Sequence, residues 1–269
     1  MTDRAAQITD FLETAGWGTA CRTPLAGDAS NRRYERLVTS DGLQAVLMDA
    51  PPERGEDVRP FVTIAKHLSG AGLSAPAIFA SDPAAGLLLL EDLGDDLFAR
   101  VVMREPGREN SLYQSAIDVL ATLHDKPLPT QITSYDALLM GKLAALSVEW
   151  YGSGNPDDAA QIGQMVTDLC AGLKIDVLIL RDYHAENLIW LPDRDGVKQV
   201  GLLDFQDAMV GHRAYDLVSL LQDARRDVPS ALEEQMINRY CTLTGQDRGA
   251  FETAYSLLGA QRNLRIIGV

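Results

Sequence analysis

The sequence predicts an α+β chain in two lobes, a small antiparallel sheet followed by a mostly helical part. Three observations predict it. Short strand-like runs with turn signals between them crowd residues 33–90. Apolar residues recur at helical spacing over most of the remaining chain. At 269 residues the chain also exceeds one average domain. The boundary is placed after Leu93, giving lobes 1–93 and 94–269.

Ile8, Phe11, Leu12 and Ala15 predict a first helix over residues 3–15. Residues 33–38 and 43–50 read as strands. They are joined by Thr39-Ser40-Asp41-Gly42, whose Asp-Gly step favours a hairpin. Pro51-Pro52 stops the second strand, since proline cannot donate to a ladder. Val58, Phe61, Ala65 and Leu68 mark a helix that ends near Gly70 and Gly72. Strands come next at 77–80 and 87–90, with Ser81-Asp82-Pro83 between them.

Beyond Gly94 the pattern is helical. Leu112, Ala116, Val119 and Leu123 form one apolar stripe; Leu139, Leu143, Leu146 and Trp150 form a second. A further helix shows its limits: Asn155 as cap, Pro156 in the first turn, then Ile162, Met165, Val166 and Leu169, ending at Gly172. Three short strands interrupt the helices between Val177 and Leu203, with Pro192-Asp193-Arg194-Asp195-Gly196 as a hairpin turn. Helices resume to the end, and Ser230 with Glu233 has the spacing of a capping box. A connection near Glu91–Gly94 joins the lobes, and a cleft between two such lobes is a natural ligand site.

Lys plus Arg (24) against Asp plus Glu (38) gives a net charge of −14. That balance argues against nucleic acid or an anionic membrane as the main partner and leaves room for a small molecule. The N-terminus has early acids and no continuous apolar core, unlike a signal peptide. No stretch approaches the roughly 20 apolar residues that span a bilayer. Cys21, Cys170 and Cys241 are odd in number and far apart, which suits buried free thiols in a reducing cytoplasm.

The chemistry concentrates between Val177 and Asp216, which includes VLILRDYHAENLIWL and KQVGLLDFQDAMVGHRAYDL. Phosphoryl transfer requires a carboxylate to accept the proton of the attacking hydroxyl, and oxygen ligands that hold Mg²⁺ against phosphates. A loop Asp followed five residues later by Asn supplies the base and one ligand; an Asp closing the next strand pair supplies another. Asp182, Asn187 and Asp204 stand in that relation, each at one end of an apolar strand-like run. All three are also residue types that favour turns and strand ends.

The segment resembles the catalytic loop and metal-binding turn of the protein-kinase-like superfamily. Leu180-Arg181-Asp182 stands where that family has H-R-D, and Asp204-Phe205-Gln206 where it has D-F-G. The helical second lobe and the Asp216 helix resemble its aminoglycoside phosphotransferase and choline kinase branch. The resemblance implies a bilobal kinase fold with ATP and Mg²⁺ as cofactors, Asp182 as base and Asn187 and Asp204 as metal ligands. It also implies that Asp216 braces the catalytic loop. His184 and Asp207 become candidates for substrate contact, with a backbone-bonded loop histidine and a solvated aspartate as the alternatives. His124, at the end of an apolar stripe, reads as a core histidine.

On the nucleotide side, Gly27-Asp28-Ala29-Ser30-Asn31-Arg32 precedes the first hairpin, where kinases place a glycine-rich phosphate cover. Backbone N–H groups, Ser30 and Asn31 are the candidate phosphate contacts there, against an ordinary polar turn, which the segment taken alone favours. Ala45-Val46-Leu47-Met48 stands where kinases have V-A-I-K, so Met48 replaces the phosphate-binding lysine. Strand alternation puts Arg32, Tyr34 and Arg36 on one face. With Tyr34 over adenine, Arg32 points to the phosphates; a solvated arginine is the equal alternative. Glu91 to Leu93 would offer backbone groups to the base.

GDASNRRYERL, AVLMDAPPE, RDYHAENL and SLLQDARRDV together resemble the anomeric sugar kinases of cell-wall recycling, in which the missing lysine is normal. The resemblance implies a small-molecule partner: N-acetylmuramic acid or N-acetylglucosamine, phosphorylated at C1. Asp223, Arg226 and Arg262 are then further substrate candidates, against a charged helix end for that stretch. The chain stops at Ile266-Ile267-Gly268-Val269, whereas relatives of this kind have more C-terminal helix, so a shortened C-terminus is expected. Two other readings stand beside it. One is a kinase for an aminoglycoside or choline-like acceptor; the other is a non-catalytic nucleotide-binding regulator, against which Asp182, Asn187 and Asp204 argue.

Overall fold

The structure is a computed structural model that describes residues 4–25, 31–152 and 154–268. The chain divides into two compact units. One takes in the described residues up to Gly70 together with Ser74–Asp95; the other takes in Ala71–Leu73 and the described residues from Asp96 onward. The division falls two residues beyond the expected Leu93.

The first unit contains α1 (Arg4–Thr14), β1 (Cys21–Pro24), β2 (Arg33–Val38), β3 (Gln44–Asp49), α2 (Arg59–Gly70), β4 (Ile78–Asp82) and β5 (Leu87–Glu91). The strands form one antiparallel sheet in the order β1-β2-β3-β5-β4. The β2–β3 hairpin runs from Arg33 opposite Asp49 to Val38 opposite Gln44. Its turn is closed by Thr39 N to Leu43 O and Gly42 N to Thr39 O, both 3.0 Å, with Gly42 at φ 85°. Gly86 is required for a second reason besides its φ of 68°: a Cβ there would lie 2.0 Å from the Ala50 carbonyl oxygen. Leu37, Ala45, Leu47, Leu87 and Leu89 line one face of the sheet, where Ile8 and Leu12 of α1 complete the core.

Two expectations are corrected here. β1 was not foreseen, because Cys-Arg-Thr-Pro is exposed along its whole length and carries no alternation. Cys21 on this strand is therefore exposed, whereas Cys170 and Cys241 are buried as free thiols.

The second unit contains α3 (Phe98–Arg104), α4 (Glu109–Leu123), α5 (Ala137–Trp150), α6 (Pro156–Cys170), β6 (Val177–Ile179), β7 (Leu188–Trp190), β8 (Val200–Leu202), β9 (Met209–Gly211), α7 (Tyr215–Leu221), α8 (Ser230–Thr244) and α9 (Arg248–Ile267). β6 pairs with β9 and β7 with β8, both antiparallel. The three residues of β9 were too few to show a period in the sequence. The α6 cap is as expected: the Asn155 side chain accepts from Asp157 N at 3.0 Å, with Pro156 in the first turn.

The expected α5 stripe is rotated. Met140, Gly141, Ala144 and Ser147 are the buried residues, and Trp150 is exposed. The reason is close helix packing: a Cβ on Gly141 would sit 2.3 Å from the Gly163 carbonyl oxygen of α6. The helices meet through small residues, which leaves Met165 and Leu169 exposed as well. The capping box does not form. Pro229 holds the N-cap position without a side-chain bond. Glu233 instead accepts from Tyr255 Oη at 2.6 Å and Gln222 Nε2 at 3.1 Å. Among the described residues, no helix is long and apolar enough to cross a membrane.

Candidate active site

Residues 180–187 form the loop between β6 and β7, and residues 203–208 the loop between β8 and β9. The β7–β8 register brings the two loops together. Leu188 lies opposite Leu202, so Leu203 N donates to the Asn187 carbonyl at 3.0 Å. The next residue is Asp204, and Asn187 Nδ2 reaches its Oδ2 at 3.4 Å. The same Nδ2 donates to the Asp182 carbonyl at 2.9 Å. Thus Asp182, Asn187 and Asp204 are gathered by strand pairing across a separation of 17 residues between the last two.

The loop around Asp182 is held firmly. Asp216 on α7 is fully buried and accepts from Leu180 N at 2.7 Å and Arg181 N at 2.9 Å. Burial, outweighing these two N–H donors, pushes its carboxyl up to about 7. Arg181 has φ 71° and Asp204 φ 54°, both left-handed for residues that carry a Cβ. Such conformations cost roughly 1–3 kcal/mol each and persist only where surrounding bonds impose them. Tyr183 is buried and donates its hydroxyl to the Ala116 carbonyl at 2.8 Å, pinning the loop to α4.

The donor set fits Mg²⁺. Asn187 uses its Nδ2 for the loop contacts, and its Oδ1 makes no hydrogen bond among the described residues. Asp204 adds a carboxylate, oriented by Gln206 Nε2 donating to Oδ1 at 2.6 Å. Hard oxygen ligands in this small number suit an ion that takes its remaining oxygens from phosphate and water. Among the described residues there is no group of three or more His, Cys, Asp or Glu that would build a closed metal cage. The Gln206 role was not foreseen; its only sequence signal is that Gln replaces the third residue of D-F-G.

The substrate candidates separate. His184 is 3% exposed, and burial and the Arg225 charge push its imidazole down to about 4. Its Nε2 lies 3.2 Å from Asn187 Nδ2, and its Nδ1 has no partner among the described residues. Asp223 is buried, accepts from Arg225 N at 3.0 Å through Oδ1, and leaves Oδ2 without a partner among the described residues. Arg262 is 3% exposed and donates one bond, from Nη2 to Ser219 Oγ at 2.9 Å. One expectation changes. Arg226 is tied to α4, to Tyr113 Oη and to Glu109 Oε1 at 2.6 Å, which commits its guanidinium to packing. The Asp207 side chain is exposed, in line with the solvated alternative, and its backbone carbonyl accepts from Arg181 Nη1 at 3.3 Å. His124 is a core histidine as expected, with Nδ1 2.6 Å from Tyr240 Oη.

In the first unit, Ser30 lies outside the described residues. Asn31 and Arg32 are both held by Glu56, through Asn31 N at 3.1 Å and Arg32 Nε at 2.8 Å. Asn31 Nδ2 also donates to the Arg54 carbonyl at 3.2 Å. Arg32 therefore carries a paired charge. Arg36, expected on the same face, is bound to Asp92 and Asp95, with Nη1 to Asp95 Oδ2 at 2.8 Å. Tyr34 is half-buried and lies opposite Met48, which is 2% exposed inside the sheet. The expected use of Glu91 needs correction in one respect: its N–H donates to the Ala77 carbonyl at 2.8 Å and is committed to the protein. Leu93 is buried at the edge of the connection.

The family model described as "Phosphotransferase enzyme family" matches residues 22–252. The chain is 38% identical to the N-acetylmuramate/N-acetylglucosamine kinase of Caulobacter vibrioides, with 100% of this chain and 85% of that protein covered. It is 34% identical to the protein of the same name from Pseudomonas aeruginosa, covering 97% of this chain and 80% of the other. Among solved structures, a choline kinase from Cryptosporidium parvum superposes with a TM-score of 0.68 at 12% identity, over 98% of this chain and 89% of that one. An aminoglycoside phosphotransferase from Streptomyces rimosus gives 0.58 at 17% identity, over 96% and 99%. These two likenesses show the protein-kinase-like fold. With the family model covering most of its length and the loop geometry above, the chain belongs to the phosphotransferase enzyme family as an ATP-dependent kinase.

Proposed function

We propose that this kinase acts in the cytoplasm on a reducing N-acetyl amino sugar and phosphorylates its anomeric C1 hydroxyl. The observation that carries the catalytic part is the convergence of Asp182, Asn187 and Asp204 on one short loop pair. The acceptor class is supported by the relatives named N-acetylmuramate/N-acetylglucosamine kinases. Asp182 takes the proton of the acceptor hydroxyl as its oxygen bonds to the γ-phosphorus and the bond to the bridging oxygen breaks. Asn187 and Asp204 would hold Mg²⁺, which would supply charge neutralisation at the phosphates.

The anomeric hydroxyl suits a lone carboxylate base because it is more acidic than the other ring hydroxyls. Arg32 is the cation proposed in place of the lysine that Met48 displaces. Its pairing with Glu56 does not count against this, since the phosphate-binding lysine of protein kinases is itself paired with a glutamate.

The test is ATP consumption over a panel of amino sugars, with the product's phosphate position read by NMR. Methyl N-acetylglucosaminide, whose C1 oxygen is blocked, should give no phosphorylated product. Turnover comparable to that of the free sugar would remove the anomeric claim and leave the kinase. The net charge of −14 favours a cationic acceptor instead, so kanamycin and choline belong in the same panel. Turnover of those alone would replace the sugar reading.

A further inference from the structure

Arg181 stands directly before Asp182 and holds a left-handed backbone, φ 71°, without being glycine. Both of its peptide groups are bound by α7. Its N–H donates to Asp216 Oδ1 at 2.9 Å, and its carbonyl accepts from Ser219 Oγ at 3.3 Å. Asp216 and Ser219 are three residues apart on the helix, so they project from one face. The Ser219 hydroxyl is itself oriented, because it accepts from Arg262 Nη2 of α9 at 2.9 Å.

Arg262 is an odd residue to bury for stability. Its Nε and Nη1 have no partner among the described residues, and burial pushes its guanidinium below the ordinary value. A buried cation with one hydrogen bond is costly, and an apolar residue would pack there at less expense. Asp182, Asp223 and Tyr215 are the groups whose charges favour the guanidinium; Arg265 opposes it.

We propose that Arg262 and Ser219 form a positioning relay for the catalytic loop. Arg262 polarises and aims the Ser219 hydroxyl, Ser219 fixes the Arg181 carbonyl, and the strained Arg181 peptide sets where the Asp182 carboxylate points. Asp216 holds the N–H side of that residue; the relay holds the carbonyl side. Arg262 accordingly serves catalysis without touching the acceptor, which replaces its candidacy as a substrate contact. This inference rests on Asp182 being the base.

The experiment compares Ser219→Ala, Arg262→Met and Arg262→Lys with the unaltered protein and with Asp182→Asn. Both N-acetylglucosamine phosphorylation and background ATP hydrolysis are followed. A misplaced base costs up to about 100-fold. Ser219→Ala and Arg262→Met should each lower kcat roughly 10- to 100-fold, with both KM values within about twofold. Arg262→Lys should recover a substantial part of the loss. Should Arg262→Met fail to fold, Ser219→Ala, which removes one atom, carries the test. An unchanged kcat in Ser219→Ala or in a folded Arg262→Met, beside an inactive Asp182→Asn, overturns the relay alone. A raised acceptor KM with normal kcat also overturns it and makes Arg262 a substrate contact. Full activity in Asp182→Asn overturns the base assignment and the relay with it. If the unaltered protein hydrolyses ATP without phosphorylating the sugar, the acceptor reading falls and the hydrolysis rates decide the relay.

Discussion

Asn187 and Asp204 are brought within 3.4 Å of each other by a hairpin register that opposes Leu188 to Leu202. One amide nitrogen thereby touches both the backbone of the expected base and the carboxylate of the expected metal ligand. Changes at these three positions should have separable consequences.

Asp182→Asn is expected to reduce turnover by about 10²–10⁴-fold while leaving the fold and nucleotide affinity near normal. Asp204→Ala should remove the Mg²⁺ dependence of nucleotide binding as well. Calorimetric titration of nucleotide with and without Mg²⁺, beside steady-state rates, distinguishes the two. Near-normal turnover in folded Asp182→Asn protein would sink the assignment.

Met48 is buried in the sheet opposite Tyr34 on one side and Leu88 on the other. Met48→Ala should therefore cost stability, roughly 2–5 kcal/mol, without a selective change in nucleotide KM. Arg32→Ala should do the reverse and raise that KM roughly tenfold or more, the size of a charge-assisted hydrogen bond. A nucleotide-bound structure with Arg32 turned away from the phosphates would end the proposal.

Glu56 holds both Asn31 N and Arg32 Nε, so it anchors the segment that leads into β2. Glu56→Ala should leave the sheet folded and weaken nucleotide binding about as much as Arg32→Ala. The double variant should be little worse than either alone, because the two residues act as one unit. Additive losses in the cycle would show that they act independently.

His124 is buried, and burial first, then the Arg213 charge, pushes its imidazole down to about 3. It is neutral in the folded protein, while in the unfolded chain it titrates near the ordinary histidine value of about 6.5. As pH falls below that value the unfolded state takes up the proton first. The contribution is therefore intact above about pH 6.5 and is lost progressively down toward about pH 3. Asp216 works in the opposite sense across part of this window, since its raised carboxyl favours the folded state at lower pH. The comparison must accordingly be between variants: thermal melts of His124→Gln should fall less steeply from pH 6.5 to 4 than those of the unaltered protein. Parallel curves would contradict the assignment.

What the sequence alone determined is the part written in local chemistry. The hairpin at Asp41-Gly42, the cap at Asn155-Pro156 and the R-D-x-x-x-x-N spacing each depend on residues a few positions apart. Their geometry comes from backbone sterics and short hydrogen bonds, which is why they are legible in one dimension. The remaining features depend on partners distant in the chain. The α5 stripe turned because Gly141 meets Gly163, and the Ser230–Glu233 box dissolved because Tyr255 and Gln222 claimed Glu233. Arg226, a sequence candidate for substrate, is committed to Glu109 and Tyr113, whereas Ser219, to which the sequence assigns no role, lies against the Arg181 carbonyl. A polar side chain's role is set by which donors and acceptors remain within about 3 Å after the chain has packed, and spacing along the sequence does not encode that.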